Sequence, residues 1–193
     1  MPWGRHLSSH RDALLGSAIM NDMLRLIEPL IPALRRYART MLRDRSAADD
    51  LVQDCLERAV GNWSQRKDVN PRAWIFTILH NLAMTRLRRS ASRPRHIAIE
   101  DAQEDIFARA PSQEDGLRYG ELLQALDRLP EEQKTVLLLA TVEGLSYAET
   151  AGVLDIPLGT VMSRLSRARE RLLKEMDGHD SAGPIHPHLR RVN

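Results

Sequence analysis

Ser163, Arg164, Ser166 and Arg167 lie on the side of a helical repeat opposite Val161, Leu165 and Ala168. Two hydroxyls and two guanidinium forks are hydrogen-bond donors that can reach guanine edges or phosphate oxygens, so the chemistry of this group is recognition of a polyanion. The same residues would also serve as a wet, solubilising helix face, because exposed arginines on helices are common. The surroundings favour recognition. Ser146 with Glu149 forms a capping box for a short helix carrying Ala148, Ala151 and Leu154. A turn over Asp155, Ile156, Pro157, Leu158 and Gly159 then leads into a long helix whose inward stripe is Val161, Leu165, Ala168 and Leu172. Helix, tight turn and donor-bearing helix from Ser146 to Lys174 make a helix-turn-helix, whose second helix fits the major groove.

Two further groups carry chemistry. Between Arg66 and Arg95 stand Arg66, Lys67, Arg72, Arg86, Arg88, Arg89, Arg93 and Arg95, opposed by Asp68 alone; Arg164, Arg167, Arg169, Arg171 and Lys174 form a second basic group. Two separated basic patches imply two contacts with a polyanion. Asp50, Gln53, Asp54 and Glu57 recur at i, i+3, i+4 and i+7, which lines up an acidic and polar stripe opposite Leu51 and Cys55. Such a stripe suits a basic protein partner, and is equally the pattern of an ordinary wet helix face. Trp74 and Phe76 offer stacking surfaces, but buried aromatics are the commoner use, so both are expected in the core.

No catalytic residues and no metal site are expected. Asp49/Asp50 and Glu131/Glu132 are neighbours in sequence on helices and point different ways, which does not make an acid/base pair. His179, His186 and His188 fall in a tail without a scaffold to hold a metal. The sequence has no P-loop, nucleophile elbow or glycine-rich phosphate cradle. The single cysteine, Cys55, reads as a small core residue in a reducing cytoplasm.

The elements that position these groups follow from composition and periodicity. The 193 residues are 42% hydrophobic and 28% charged with only 4% aromatic, so a core must come from Leu, Ile, Val, Ala and Met, which suits packed helices. The fold expected is all-α, two small helical domains joined by a flexible linker. The net charge of +2 is weak evidence for any partner; its distribution carries more. The longest apolar stretch, Val136 to Val142, falls far short of the roughly 20 residues that cross a bilayer, so no membrane insertion is expected.

Residues 1–20 read as a disordered tail. In the first domain, 21–90, Leu30, Leu34, Tyr37 and Met41 recur at helical spacing after Pro29. A second helix is expected from Ser46, capped by Ser46 and Asp49, with Ala48, Leu51, Val52, Cys55 and Ala59 on one stripe. Asn70-Pro71 supplies an N-cap and a first-turn proline for a helix to about Arg89, with Ile75, Ile78, Leu79 and Leu82 inward. Residues 91–116 read as the linker, able to span at most about 90 Å at roughly 3.3–3.6 Å per residue. The second domain, 117–177, includes the helix closed by Gly144, and 178–193 form a second tail.

The run from Leu145 to Leu172, LSYAETAGVLDIPLGTVMSRLSRARERL, with its lead-in ALDRLPEEQ from Ala125 to Gln133, closely resembles region 4 of extracytoplasmic-function RNA polymerase sigma factors, group 4 of the sigma-70 family. ADDLVQD from Ala48 to Asp54 resembles the region 2 segment that docks on the coiled coil of the largest polymerase subunit. RAWIFTILHNLA from Arg72 to Ala83 is similar to the helix that recognises and melts the −10 element. The resemblance implies a promoter-reading subunit without enzymatic activity or cofactor, whose partners are core RNA polymerase, promoter DNA and an anti-sigma factor. It places Ser163, Arg164, Ser166 and Arg167 at the −35 element. It places Asn81 on the −10 element with Arg86, Arg88 and Arg89 on phosphates, and the loop from Gln65 to Asn70 at the flipped base. Asp50, Gln53, Asp54 and Glu57 face the polymerase. Met162, where the family often has Lys or Arg, departs from the pattern and fits a different −35 sequence. The alternative is a sigma-like decoy that binds an anti-sigma factor without reading DNA; such decoys carry a receiver domain, for which 193 residues leave no room.

Overall fold

The structure is a computed structural model that describes residues 20–66, 70–91 and 113–180. Residues 1–19 and 181–193, residues 67–69 of the loop, most of the linker, and with them His186 and His188, lie outside the described residues, as do the side chains of Leu117 and His179; residues 20 and 178–180, expected in the tails, belong to helices. Every regular element described is a helix.

The first helix, α1, covers 20–27 and buries Met23 and Ile27, one turn apart. A 3₁₀ turn, Glu28–Leu30, absorbs Pro29, and α2, Ile31–Leu42, takes Pro32 in its first turn, where the missing N–H leaves no bond unmade. Arg43 closes α2 in the left-handed region at φ 57°. The next helix, α3 (Arg45–Gly61), is capped by Asp44, whose Oδ1 accepts from the Ala47 N–H at 2.9 Å. That corrects the expected Ser46/Asp49 cap. Asp49 instead faces Arg35 and Arg39, each 3.6 Å from its Oδ1. A 3₁₀ turn, Trp63–Gln65, follows, and α4 runs Pro71–Ala91. Its start is as expected: Asn70 Oδ1 accepts from the Arg72 N–H at 3.0 Å, and the Asn70 carbonyl accepts from Trp74.

Helices α2, α3 and α4 pack on one another around Leu34, Tyr37, Leu51, Cys55, Ile75, Phe76 and Leu79, all fully buried. Tyr37 and Phe76 meet edge to face at 5.7 Å. The Cys55 thiol lies 3.6 Å from the Ile75 carbonyl, and burial pushes its pKa up to about 12, as befits an inert core residue. Ile78 is only part-buried.

His80 sits against this core, its Nδ1 3.0 Å from the Tyr37 hydroxyl. Burial, and secondarily the charge of Arg88, holds its pKa down to about 4 from an ordinary 6.5. Below pH 6.5 the unfolded chain takes up a proton that the folded one refuses until about pH 4, so stability present above 6.5 is lost as pH falls through that window. Urea unfolding at pH 7.5 and 5.5 is expected to give a lower midpoint at the acid value, with a shallower dependence in His80→Gln. Equal slopes would remove His80 as the cause.

In the second half of the chain, α5 (Gln113–Arg128) and α6 (Glu131–Leu137) pack on α8 (Leu158–Asp180). Ala125, Leu126, Leu129, Val136, Leu139, Val161, Leu165 and Ala168 are buried there, and Leu172 is part-buried. The last turn of α6 widens into a π-helical segment, Leu138–Val142, in which the Glu143 N–H reaches the Leu138 carbonyl at 2.8 Å. Gly144, at φ 67°, then ends the helix, as its position in sequence predicts. Lys134 is buried and pairs with Asp127 at 3.1 Å, a buried cation that periodicity did not reveal.

Between these elements α7 spans Tyr147–Leu154, which puts Ser146 at its N-cap position. Its buried side chains are Thr150 and Val153, not the expected Ala148, Ala151 and Leu154. The described residues fall into two compact units: one holds α1 to α4 with Ala148–Ile156, the other α5, α6 and α8. The grouping of α7 differs from the expected 117–177 boundary, and α5 begins at Gln113, inside the expected linker.

Candidate nucleic-acid interface

The turn before α8 is built from local bonds. Asp155 takes φ 51°, the Ile156 N–H returns to the Ala151 carbonyl at 3.1 Å, and the Pro157 carbonyl accepts from Thr160 and Val161. Leu158 and Gly159 therefore belong to the first turn of α8 and not to the connection. Burial of Val161, Leu165 and Ala168 fixes the rotation of α8, leaving Ser163, Ser166 and Arg167 exposed. The Ser163 hydroxyl donates to the Thr160 carbonyl at 3.1 Å, so its oxygen is turned into an acceptor for any outside partner. Arg164 differs from the other three. Its guanidinium pairs with the Glu132 carboxylate at 2.5 Å and only 26% of its side chain is exposed. The expected foursome is thus three outward side chains and one arginine held by α6. Sequence alone missed Glu132; its only trace is the Glu-Glu-Gln opening of α6.

On α4, Asn81, Arg88 and Arg89 are exposed along the helix. Arg86 is not free to join them. Its guanidinium donates to the Ala47 carbonyl and to Asp54 Oδ2, both at 2.6 Å, clamping α4 to α3. The structure thereby joins one residue expected on DNA to one expected on polymerase, and both side chains are used inside their own unit. Hydrogen bonds to charged groups contribute about 1.5–3 kcal/mol, and the partial exposure of this pair screens it to about 1–2 kcal/mol. Arg86→Ala is expected to lower the urea stability of the full chain by that amount, whereas Arg88→Ala changes it by less than about 0.5 kcal/mol. Equal effects would remove the clamp.

The aromatics divide. Phe76 is fully buried, whereas Trp74 is part-buried and meets Trp63 edge to face at 6.0 Å. Arg66 lies over the Trp63 ring, 4.2 Å from its centroid. Trp63, Arg66 and Trp74 therefore form one cluster, joining the turn after α3 to the first turn of α4. Along α3, Asp50, Gln53 and Glu57 are exposed, and Gln53 Nε2 donates to Glu57 Oε1 at 3.1 Å. Asp54 completes the stripe in sequence but turns to Arg86.

Among the described residues, no group of three or more His, Cys, Asp or Glu is placed to hold a metal ion, and no helix is long and apolar enough to cross a membrane. The family described as Sigma-70, region 4 matches residues 119–172, and the Sigma2 domain of PhyR matches residues 27–80. The ECF RNA polymerase sigma factor EcfG of Rhodopseudomonas palustris is 38% identical to this chain over 161 residues, covering 80% of this chain and 86% of the relative. The chain belongs to the ECF RNA polymerase sigma factors. The sigma factor is also 33% identical to SigM of Mycobacterium tuberculosis, over 89% of its own length and 86% of the relative. Among solved structures it resembles the sigma factor RpoE of Bartonella quintana in complex with the anti-sigma factor NepR, at TM-score 0.67 and 30% identity, over 81% of this chain and 97% of that one.

Proposed function

We propose that this sigma factor binds core RNA polymerase and directs it to promoters by a −10 contact from residues 21–90 and a −35 contact from residues 117–177. The observation that carries the reading is the face of α8: a buried Val161/Leu165/Ala168 stripe turns Ser163, Ser166 and Arg167 to solvent in a segment matched by Sigma-70 region 4. Asn81 reads the −10 element while Arg88 and Arg89 hold its phosphates; Asp50, Gln53 and Glu57 dock on the polymerase. Arg164 acts at −35 by a phosphate contact made from its Glu132 pair. Neither domain needs tight DNA binding alone, since tethering on polymerase raises the effective concentration of the second contact. The likeness to RpoE held by NepR supports control by an anti-sigma factor that covers the polymerase-binding faces.

One observation favours a second reading, a decoy for an anti-sigma factor: the match over residues 27–80 is to the Sigma2 domain of PhyR. Three arginines and no carboxylate between Leu158 and Arg169 fit DNA better than a decoy. Run-off transcription with purified core polymerase on genomic fragments separates the two. Specific transcripts that appear only when the sigma factor is added are expected, and none from any fragment would leave the decoy.

A further inference from the structure

The DNA-reading face of α8 carries an apolar side chain that the donor set does not use. Met162 is 54% exposed, and with Ser166 and Arg169 it forms one line at i, i+4 and i+7. These three, with Tyr147 as the other wall and the buried Leu165 as floor, line a shallow groove. Tyr147 is itself 39% exposed, and Leu158, one turn before Met162, is 49% exposed. This small apolar cluster stands beside arginines on the exposed side of α8, so apolar and cationic contacts are offered together.

We propose that Met162 reads a thymine of the −35 element through its C5-methyl group. This inference rests on the promoter-reading role of α8 and adds a specificity residue to it. The charge around the groove selects the occupant: Arg164 is paired with Glu132, but Arg169 lines the groove and Arg167 stands exposed beside it, with no carboxylate on the helix from Leu158 to Arg169, so the surface favours a polyanion. A thioether cannot bond a phosphate or accept from a base amine with useful strength. The one apolar feature that duplex DNA presents in its major groove is the thymine methyl. Methionine is unbranched and polarisable, and adapts to such a contact. Arg167, exposed a little over one turn beyond Met162, brings donors to a neighbouring base edge, and Ser163, the next residue, presents its hydroxyl oxygen as an acceptor, so the methyl contact sits within a hydrogen-bonded register.

The test uses holoenzyme assembled from the full chain and core polymerase. Run-off selection from a promoter pool with a randomised upstream element is expected to enrich thymine at one position, and Met162→Lys to abolish that preference. On the selected promoter each thymine is then replaced by deoxyuridine, which removes only the methyl. At that position the replacement is expected to lower −35-dependent output about four-fold, the worth of one buried methyl-sized group, with no further loss in Met162→Ala. If uracil is silent at every position while Arg167→Ala still lowers output, the inference is overturned and the promoter reading stands. If Met162→Ala lowers output equally on thymine and uracil templates, the side chain meets polymerase and the inference is also overturned. If no upstream sequence is selected, the −35 role of α8 falls and takes this inference with it.

Discussion

Arg167→Ala is expected to lower transcription from promoters that carry a −35 match by about 1–3 kcal/mol, a factor of roughly 5 to 150, and to leave core polymerase binding intact. Arg167 is the cleanest probe on α8 because its side chain is exposed, so its loss removes an outward donor without disturbing the buried stripe beneath. Arg164→Ala is a mixed probe. It also breaks the pair with Glu132, so any change in output carries a stability component. Run-off assays on matched templates with and without a −35 element check the prediction. An equal loss on both would place Arg167 outside −35 recognition, and an unchanged rate on both would make it part of a merely solvated face.

Charge reversal on α3 is expected to have the second large effect. Asp50→Lys combined with Glu57→Lys should weaken binding to core polymerase by tenfold or more, about 1.4 kcal/mol, as expected when like charges are set against a basic partner. The choice of residues comes from the structure. Asp54 lies on the same stripe in sequence, but its carboxylate holds Arg86, so reversing it would set two cations together and loosen α3 from α4. Asp50 and Glu57 are exposed, and their reversal should leave the urea stability within about 0.5 kcal/mol of the parent. Co-purification with core polymerase and a titration against labelled polymerase check it. Undiminished binding by a folded double variant would refute docking through this face.

The sequence by itself determined which way the longer helices turn, though not α7, which buries Thr150 and Val153. Leu34, Tyr37, Leu51, Cys55, Leu79, Val161 and Leu165 are buried where a period of 3.6 residues puts them, because facing is a local property, fixed by about 100° of rotation per residue. The Asn70-Pro71 start of α4 and the Gly144 stop of α6 were legible for the same reason, since a cap or a left-handed glycine acts within one turn. At α3 the same rules pointed to Ser46, and the structure replaces it with Asp44, whose extended backbone at φ −135° places its carboxylate to cap the helix.

Tertiary structure decided what the long charged side chains do. Arg86 and Asp54 stand 32 positions apart, as do Arg164 and Glu132, and each pair forms only once two helices are packed side by side. Nothing in the spacing along one helix distinguishes Arg86 from Arg88, or Arg164 from Arg167. Packing also separated Phe76, sealed against Tyr37, from Trp74 beside Trp63, and buried Lys134 against Asp127. The reason is reach: an arginine extends across a helix boundary, so its partner is chosen by the neighbouring helix and not by the residues before and after it.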